Sequence, residues 1–130
     1  RLGAVLQNRL GRSLPYGVLD INLYRDDWTT LGPRAVVGRS LLNFDINGQR
    51  LVLVDDVLYT GRTIRAALEA LADFGRPAKI ELLALVDRGH RELPIQADYV
   101  GERLETTREE RVDVLMRELD GEDKVVVRKK

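Results

Sequence analysis

The sequence predicts an α/β fold: a mostly parallel, twisted sheet flanked by helices and followed by an antiparallel C-terminal hairpin. Two largely apolar segments, at residues 50–54 and 80–86, are typical of parallel strands that are buried on both faces. A segment with helical periodicity lies between them. This succession is a βαβ unit, whose crossover we expect to be right-handed. An Asp-Gly turn signal near the C-terminus predicts the hairpin.

The size and composition of the chain limit the classes of protein it can belong to. Its 130 residues suffice for one domain, at residues 1–130, and its 44% hydrophobic and 32% charged residues are typical of a globular protein. The 21 basic and 21 acidic residues cancel, so nucleic-acid binding needs a local basic patch. Without cysteine and with one histidine, His90, the chain cannot form disulfides, thiolate nucleophiles or Cys- or His-rich metal sites. No apolar segment could span a membrane or act as a signal peptide, so we expect a cytoplasmic location.

The N-terminal residues have the spacing of an amphipathic helix. Its apolar residues recur every three or four positions, at Leu2, Val5, Leu6 and Leu10. The chain begins inside this helix, at Arg1, without a methionine or a capping residue. We therefore expect the domain to be incomplete at its N-terminus. A turn region that includes Pro15 follows at residues 11–17.

Residues 18–39 are expected to form a strand and then a long loop. Apolar and polar residues alternate over 18–24, which predicts a strand. Residues 25–39 are polar and have no period, and a loop of this length in a small domain is usually a lid, a binding loop or a disordered segment. Asn47-Gly48 then marks a tight turn before the first apolar strand.

The helix after that strand is amphipathic, and Gly75, followed by Pro77, is expected to end it. Its predicted apolar face consists of Ile64, Ala67, Leu68, Leu71 and Phe74. Toward the C-terminus, apolar residues alternate with polar ones at Val112, Val114 and Met116. Asp120-Gly121 predicts the hairpin turn, and residues 124–128 the returning strand.

Residues 51–63, LVLVDDVLYTGRT, are best suited to chemistry. A buried strand delivers two adjacent carboxylates, Asp55 and Asp56, at its carboxyl end, where open α/β sheets bind ligands. The following turn holds Thr60, Gly61 and Thr63 directly before a helix, so hydroxyls, backbone N–H groups and the helix dipole favour an anion there. A ligand with a phosphate on one side and hydroxyls or a divalent metal on the other, such as a ribose 5-phosphate, fits this arrangement.

Other interpretations of residues 51–63 do not involve a ribose phosphate. The two acids could be solvated residues at a strand end, although adjacent acids after four apolar residues reduce stability unless something uses them. A signalling receiver domain also ends a strand with two acids that bind magnesium. It places them near its start, however, and no later strand here ends in lysine, although the next apolar strand ends in Asp87. The dinucleotide fingerprint Gly-x-Gly-x-x-Gly is absent from the turn.

Residues 51–63 resemble the phosphoribosyl-diphosphate (PRPP) binding motif of type I phosphoribosyltransferases. More narrowly, the chain resembles the bacterial pyrimidine operon regulators that are also uracil phosphoribosyltransferases. Three further segments carry this resemblance: residues 20–27, DINLYRDD; residues 85–95, LVDRGHRELPI; and residues 97–101, ADYVG. The resemblance covers nearly the whole chain. It implies the type I phosphoribosyltransferase fold, with the family's first strand and its diphosphate-binding loop missing before Arg1.

The resemblance also implies the reaction of uracil with PRPP to give UMP and diphosphate. In such a protein Asp55 and Asp56 hold the ribose hydroxyls, and Mg²⁺, carried by PRPP, lies near them without a certain protein ligand. The substrate-binding segment that follows comprises Val57, Leu58, Tyr59, Thr60, Gly61, Arg62 and Thr63. Arg25, in the family's mobile loop, is implied as the catalytic charge partner of the diphosphate. Val86, through its backbone, and Arg88, through its side chain, are implied to contact uracil.

A second implied function is regulation of pyr operon transcription by attenuation, through binding of the mRNA leader in response to UMP or UTP. His90 and Arg91 lie on the implied RNA-binding face. The chain departs from the family there, because Gln96 and Glu102 stand where basic residues are usual, and this weakens phosphate contacts. Because the diphosphate loop is missing, a nucleotide-sensing RNA-binding regulator without significant catalysis remains the alternative. The family forms dimers and tetramers, so a homo-oligomer is expected.

Overall fold

The computed structural model of the chain describes residues 1–19 and 42–129. In chain order, the described elements are helix α1 (Leu2–Leu10), strand β1 (Arg50–Leu58), helix α2 (Arg62–Ala72), strands β2 (Lys79–Asp87), β3 (Tyr99–Arg103) and β4 (Glu110–Leu115), helix α3 (Arg117–Asp120) and strand β5 (Lys124–Lys129). Most of the strand predicted over 18–24 and the whole loop over 25–39, with Arg25, lie outside the described residues.

The chain divides into two compact units, Arg1–Asn47 with Ala66–Arg76, and Gly48–Arg65 with Pro77–Lys130. The first unit contains the predicted N-terminal helix α1, which ends at Gly11 in the left-handed conformation, with φ of 68°. The amide of Gly11 donates to the carbonyl of Gln7, so this glycine terminates the helix as a C-cap. None of the helices in the described part of the chain is long and apolar enough to cross a membrane.

The second unit contains a three-stranded parallel sheet with the strand order β1-β2-β3. Leu53 pairs with Leu82 in the first ladder, and Ala84 with Val100 in the second. The two apolar strands and the βαβ unit are therefore confirmed. Strand β3 was not predicted, because its five residues, YVGER, have too little apolar alternation to indicate a strand by themselves.

The prediction that β1 is buried on both faces is wrong for one of them. Val52 and Val54 are 51% and 52% exposed, whereas the neighbouring Leu51 and Leu53 are half-buried. A core cluster forms from Leu58, Ile64, Leu82 and Ala84, with Leu53, Ile95 and Ala97 packed against it. An apolar run makes both faces of a strand suitable for burial, but only the packing partners decide which face is covered.

The buried stripe of α2 differs in part from the predicted one. Ile64, Ala67 and Leu71 are buried as expected, but Leu68 and Phe74 are 37% and 38% exposed. The buried positions are completed by small residues instead, Ala66 and Ala70. The helix also ends at Ala72, three residues before Gly75. The stripe was predicted from the larger side chains, whereas alanines can also occupy a closely packed helix face.

The C-terminal hairpin is confirmed as an antiparallel pair of β4 and β5, in which Val112 pairs with Val127. Its connection differs from the predicted two-residue turn, because it contains the short helix α3. Asp120 lies within this helix, and its carboxylate accepts a hydrogen bond from the amide of Met116 at 2.8 Å. Met116 is therefore the N-cap of α3 and not part of β4, as the alternation had indicated.

Candidate active site at the carboxyl ends of the parallel strands

The three parallel strands end at one edge of the sheet. Leu58 at the end of β1 pairs with Asp87 at the end of β2, and Asp87 pairs with Arg103 at the end of β3. All described residues that the sequence assigned to substrate or RNA lie near this edge, at 55–63 and 86–91. This is the position where open parallel sheets place their ligands.

The two acids lie inside β1 rather than after it, because the strand continues to Leu58. Side chains alternate along a strand, which accounts for the different burial of Asp55 and Asp56. Asp55 is half-buried and accepts a hydrogen bond from the amide of Asp56 at 2.9 Å. Asp56 is exposed and accepts from the amide of Val57 at 2.7 Å. The strand is thus longer than the apolar run 50–54 from which it was predicted, and the two acids are its sixth and seventh residues.

The turn between β1 and α2 has the geometry of a helix start. The Thr60 hydroxyl oxygen accepts a hydrogen bond from the amide of Arg62 at 3.2 Å, and the Gly61 carbonyl accepts from the amide of Arg65 at 3.0 Å. Gly61 has a φ of 93°, which L-residues with a side chain rarely adopt. The predicted phosphate-binding segment thus lies at the N-terminus of an eleven-residue helix, where N–H groups and the dipole favour an anion.

A neighbouring loop, residues 88–98, holds this turn from its other side. The Thr60 carbonyl accepts hydrogen bonds from the amides of Glu92 and Leu93, at 2.8 and 3.2 Å. A Cβ atom on Gly61 would lie 3.4 Å from Cβ of Ile95 and 3.5 Å from Cβ of Leu93. These are ordinary van der Waals distances, so the positive φ, rather than a lack of space, is what favours glycine at position 61.

Arg88, the predicted uracil contact, is buried and 5% exposed. Its Nη2 donates to the carbonyls of Thr107 and Glu110 at 2.8 and 2.9 Å, and its Nε donates to the hydroxyl of Thr106 at 3.2 Å. The guanidinium lies over the Tyr59 ring, 4.0 Å from the ring centroid. Arg88 therefore connects the β3–β4 loop to Tyr59, the first residue of the turn between β1 and α2.

His90 and Arg91, the predicted RNA contacts, also direct their side chains toward the protein. His90 has a φ of 67°, and its ring Nε2 forms a hydrogen bond with the carbonyl of Thr106. Its ring meets that of Tyr59 edge-on, with the centroids 6.0 Å apart. Arg91 donates at 2.8 Å to the carbonyl of Tyr59 and at 2.6 Å to the carboxylate of Asp87.

Asp87 is a site residue that the sequence did not assign. It is 5% exposed, and burial alone raises the pKa of its carboxyl. Hydrogen bonds from Arg91 and the Gly89 amide, with the charges of Arg91 and Arg103, outweigh that effect and lower the pKa below its usual value. The sequence signal for Asp87 is its position at the end of an apolar strand. A charged residue that is buried there needs a partner, so the position indicates an ion pair.

Glu92 forms an exposed ion-pair bridge beside the turn. Its two carboxylate oxygens accept from Arg62 at 2.9 Å and from Arg108 at 3.0 Å. The hydrogen bonds from these arginines lower the pKa of Glu92. The bridge connects the first residue of α2 to the β3–β4 loop.

Comparison with known proteins decides the family. The family model of the phosphoribosyl transferase domain matches residues 1–117. The chain belongs to this family. Among curated relatives, it is 54% identical over 127 residues to "Bifunctional protein PyrR" of Pelotomaculum thermopropionicum, covering 98% of the chain and 70% of the relative. It is 58% identical to the protein of that name from Desulfosudis oleivorans, covering 98% of the chain and 71% of the relative.

A third PyrR relative, from Thermus aquaticus, is 60% identical over 115 residues, which cover 88% of the chain and 64% of the relative. Within the phosphoribosyltransferases, the chain thus belongs to the PyrR proteins. A crystal structure of a hypoxanthine phosphoribosyltransferase from Staphylococcus aureus matches the fold with a TM-score of 0.50 and 24% identity, covering 68% of this chain and 50% of that one. The type I phosphoribosyltransferase fold is therefore confirmed.

In this phosphoribosyltransferase, the two departures from the usual basic residues are both exposed. The Gln96 side-chain oxygen accepts a hydrogen bond from Nη2 of Arg91 at 3.2 Å. Glu102 lies in β3, directly before Arg103. Among the described residues, no three His, Cys, Asp or Glu side chains group as a metal site.

Proposed function

We propose that the protein is a uracil phosphoribosyltransferase, a pentosyltransferase that converts uracil and PRPP to UMP and diphosphate. The observation that carries this proposal is the arrangement at the end of β1. Two carboxylates are followed within five residues by a glycine-containing turn that begins α2, at the carboxyl edge of a parallel sheet. Family membership and the PyrR relatives support the same activity.

In the proposed reaction, the bond between the anomeric carbon and the diphosphate oxygen breaks, and a bond from that carbon to a uracil ring nitrogen forms. The nitrogen releases its proton to water or to the departing diphosphate, and diphosphate leaves with the electron pair of the broken bond. The transition state resembles an oxocarbenium ion, so the protein mainly positions the reactants and excludes water. We assign the 5-phosphate to the segment Tyr59, Thr60, Gly61, Arg62 and Thr63, and the ribose hydroxyls to Asp55 and Asp56.

Five further residues complete the proposed substrate site. Leu58 is 1% exposed, so it and the half-buried Val57 contribute through the backbone. Val86 is likewise 1% exposed and supports the base site from inside β2. Arg88 shapes that site by fixing Tyr59 and the β3–β4 loop, because its Nε and Nη2 already donate to protein acceptors. Arg25 is proposed to neutralise the leaving diphosphate.

We propose Mg²⁺ as the cofactor, entering with PRPP. The residues present fit this ion, because the carboxylate oxygens of Asp55 and Asp56 are the donor type that Mg²⁺ prefers. When bound, Mg²⁺ would neutralise charge on the diphosphate. Asp55 and Asp56 would hold it through the ribose and its waters.

We also propose that the protein regulates transcription by binding the pyr mRNA leader in response to UMP or UTP, as a cytoplasmic homo-oligomer. The relatives are each named a bifunctional protein, which favours two functions. His90 and Arg91 remain the proposed RNA contacts, but both side chains already hydrogen-bond inside the protein. A direct contact with RNA would have to replace those bonds. A regulator without significant catalysis is the second candidate function. Gln96 and Glu102 stand where basic residues are usual, so they argue against strong contact with RNA phosphates.

The test is UMP formation from labelled uracil and PRPP with Mg²⁺, for the wild type, Asp55→Asn and Asp56→Asn measured separately. Each substitution removes a charge-assisted hydrogen bond, so we expect kcat/KM to fall by about 10- to 100-fold. Asp113→Asn is the matched control, because Asp113 pairs with Arg111 and Arg128 in the hairpin. A wild type that binds UMP without forming it would favour the regulator. A wild type that does neither would refute both functions.

A further inference from the structure

The guanidinium of Arg91 joins three separate segments at the carboxyl edge of the sheet. Its Nη1 donates to the carbonyl of Tyr59 at 2.8 Å, directly after β1. Its Nη2 donates to the carboxylate of Asp87 at 2.6 Å, at the end of β2. Its Nε donates to the carbonyl of Ile95 at 2.8 Å, in the loop before β3. One planar group thus fixes the spacing between two strand ends and the loop that lies against the phosphate-binding turn.

These bonds are sheltered from water. The side chain of Arg91 is 15% exposed and that of Asp87 is 6% exposed. Arg103, the other cation near Asp87, lies farther away at 3.3 Å and is 70% exposed. Ion pairs at the surface contribute little and are screened by salt, whereas a sheltered pair with good geometry fixes its two partners strongly. Arg91 is therefore the cation that holds Asp87.

We propose that Arg91 is a positioning residue for the phosphate-binding turn, which it fixes through the Tyr59 carbonyl without touching the substrate. The proposal rests on the function proposed above. Tyr59 is followed by Thr60 and Gly61, whose backbone also packs against residues 92–95 of the loop that Arg91 holds through Ile95. By fixing the turn from both sides, Arg91 determines where the N–H groups at the start of α2 lie. Displacing such groups by about 1 Å weakens their interaction with a bound ligand.

The role requires arginine in particular. Three nitrogen atoms of one rigid plane bond three acceptors that lie in different directions, and a fourth bond reaches Gln96. A lysine keeps the positive charge, but its single ammonium group cannot span the acceptors that Nε and the two Nη atoms reach. Arg91→Lys therefore separates the geometry of the guanidinium from its charge.

The experiment compares Arg91→Lys and Arg91→Gln with Arg103→Gln. The last variant also removes a cation from Asp87, but it leaves the Tyr59 and Ile95 carbonyls bonded. In steady-state UMP formation we expect Arg91→Lys to raise the KM for PRPP about tenfold and Arg91→Gln to raise it further. We expect kcat and the KM for uracil to change less than about twofold, and Arg103→Gln to leave all three constants within that range. A merely structural role would not single out the KM for PRPP.

Two further measurements need no active enzyme. In the ligand-free variants, hydrogen exchange of the amides of residues 59–65 should quicken in Arg91→Lys and stay unchanged in Arg103→Gln. In the wild type, the Nε–H signal of Arg91 should exchange slowly, in contrast to that of the exposed Arg103, and should shift when PRPP is added. If both Arg91 variants fail to fold, this wild-type signal decides: exchange as fast as that of Arg103 would overturn the proposal.

The outcomes separate this proposal from the proposed function. A wild type that forms no UMP refutes the proposed function. Hydrogen exchange of the amides of residues 59–65 then still tests whether Arg91 fixes the turn. An active wild type with an unchanged KM for PRPP in Arg91→Lys overturns the positioning role alone. A pyr leader RNA that loses affinity for Arg91→Lys, while the KM for PRPP is unchanged, would make Arg91 a direct RNA contact instead.

Discussion

The ion pair between Asp87 and Arg91 should contribute far more to stability than the pair between Asp87 and Arg103. The first joins atoms 2.6 Å apart on side chains that are 6% and 15% exposed. The second spans 3.3 Å and involves a guanidinium that is 70% exposed. Leaving a buried charge without its partner costs about 3–5 kcal/mol, whereas an exposed pair contributes about 1 kcal/mol or less. Asp87→Ala should therefore lower the free energy of unfolding by about 3 kcal/mol.

Two double-mutant cycles measured by urea unfolding test this difference. The first combines Asp87→Ala with Arg91→Ala, and the second combines Asp87→Ala with Arg103→Ala. We expect a coupling free energy of about 2 kcal/mol in the first cycle and below about 0.5 kcal/mol in the second. Raising the salt concentration should reduce only the second. Equal couplings, or a larger one with Arg103, would refute the argument that burial decides between the two pairs.

Three more predictions concern acid stability and glycine packing. The lowered pKa of Asp87 gives stability that is present above the unfolded pKa and is lost as pH falls through the folded value, so Asp87→Asn should flatten the loss of stability below about pH 4 in acid titrations of unfolding. A Cβ at Gly101 would lie 2.6 Å from the carbonyl oxygen of Leu85, so Gly101→Ala should destabilise by about 1–3 kcal/mol in thermal melts; Gly3→Ala, with nothing within 4 Å, should not. Gly61→Ala forces a residue with a side chain into a φ of 93°, so it should lower stability by about 1 kcal/mol and weaken PRPP binding in calorimetry; unchanged binding would contradict the assigned turn.

The elements with strong local signals were predictable from the sequence. Two apolar runs separated by an amphipathic helix have few alternatives to a parallel βαβ unit, and the structure has that unit. Strand β3 escaped prediction because its pairing with β2 is what makes it a strand, and no local pattern carries that information. The exposure of Val52 and Val54 likewise depends on which elements cover the sheet, and the apolar run does not show that.

For the candidate site, the sequence indicated the residues near the edge but not their partners. The motif at 51–63 identified the turn, and the structure places that turn at the start of α2. The role of Arg91 could not be predicted, because its acceptors on Tyr59 and Ile95 are backbone carbonyls, which every residue possesses. Only the fold brings these carbonyls within reach of one guanidinium. The family resemblance assigns Arg91 to RNA, whereas its side chain is directed into the protein.

The most direct test of the central claim is a titration of the ¹⁵N-labelled protein with PRPP and Mg²⁺, followed through the backbone amide signals. We predict that the largest shifts occur at the amides of Gly61, Arg62 and Thr63, with smaller shifts at Asp55 and Asp56. Addition of UMP alone should shift the same turn, because it carries the same 5-phosphate. Shifts confined to the hairpin of β4 and β5, or no shift at residues 60–63 at saturating PRPP, would contradict the assignment of this turn as the phosphate site.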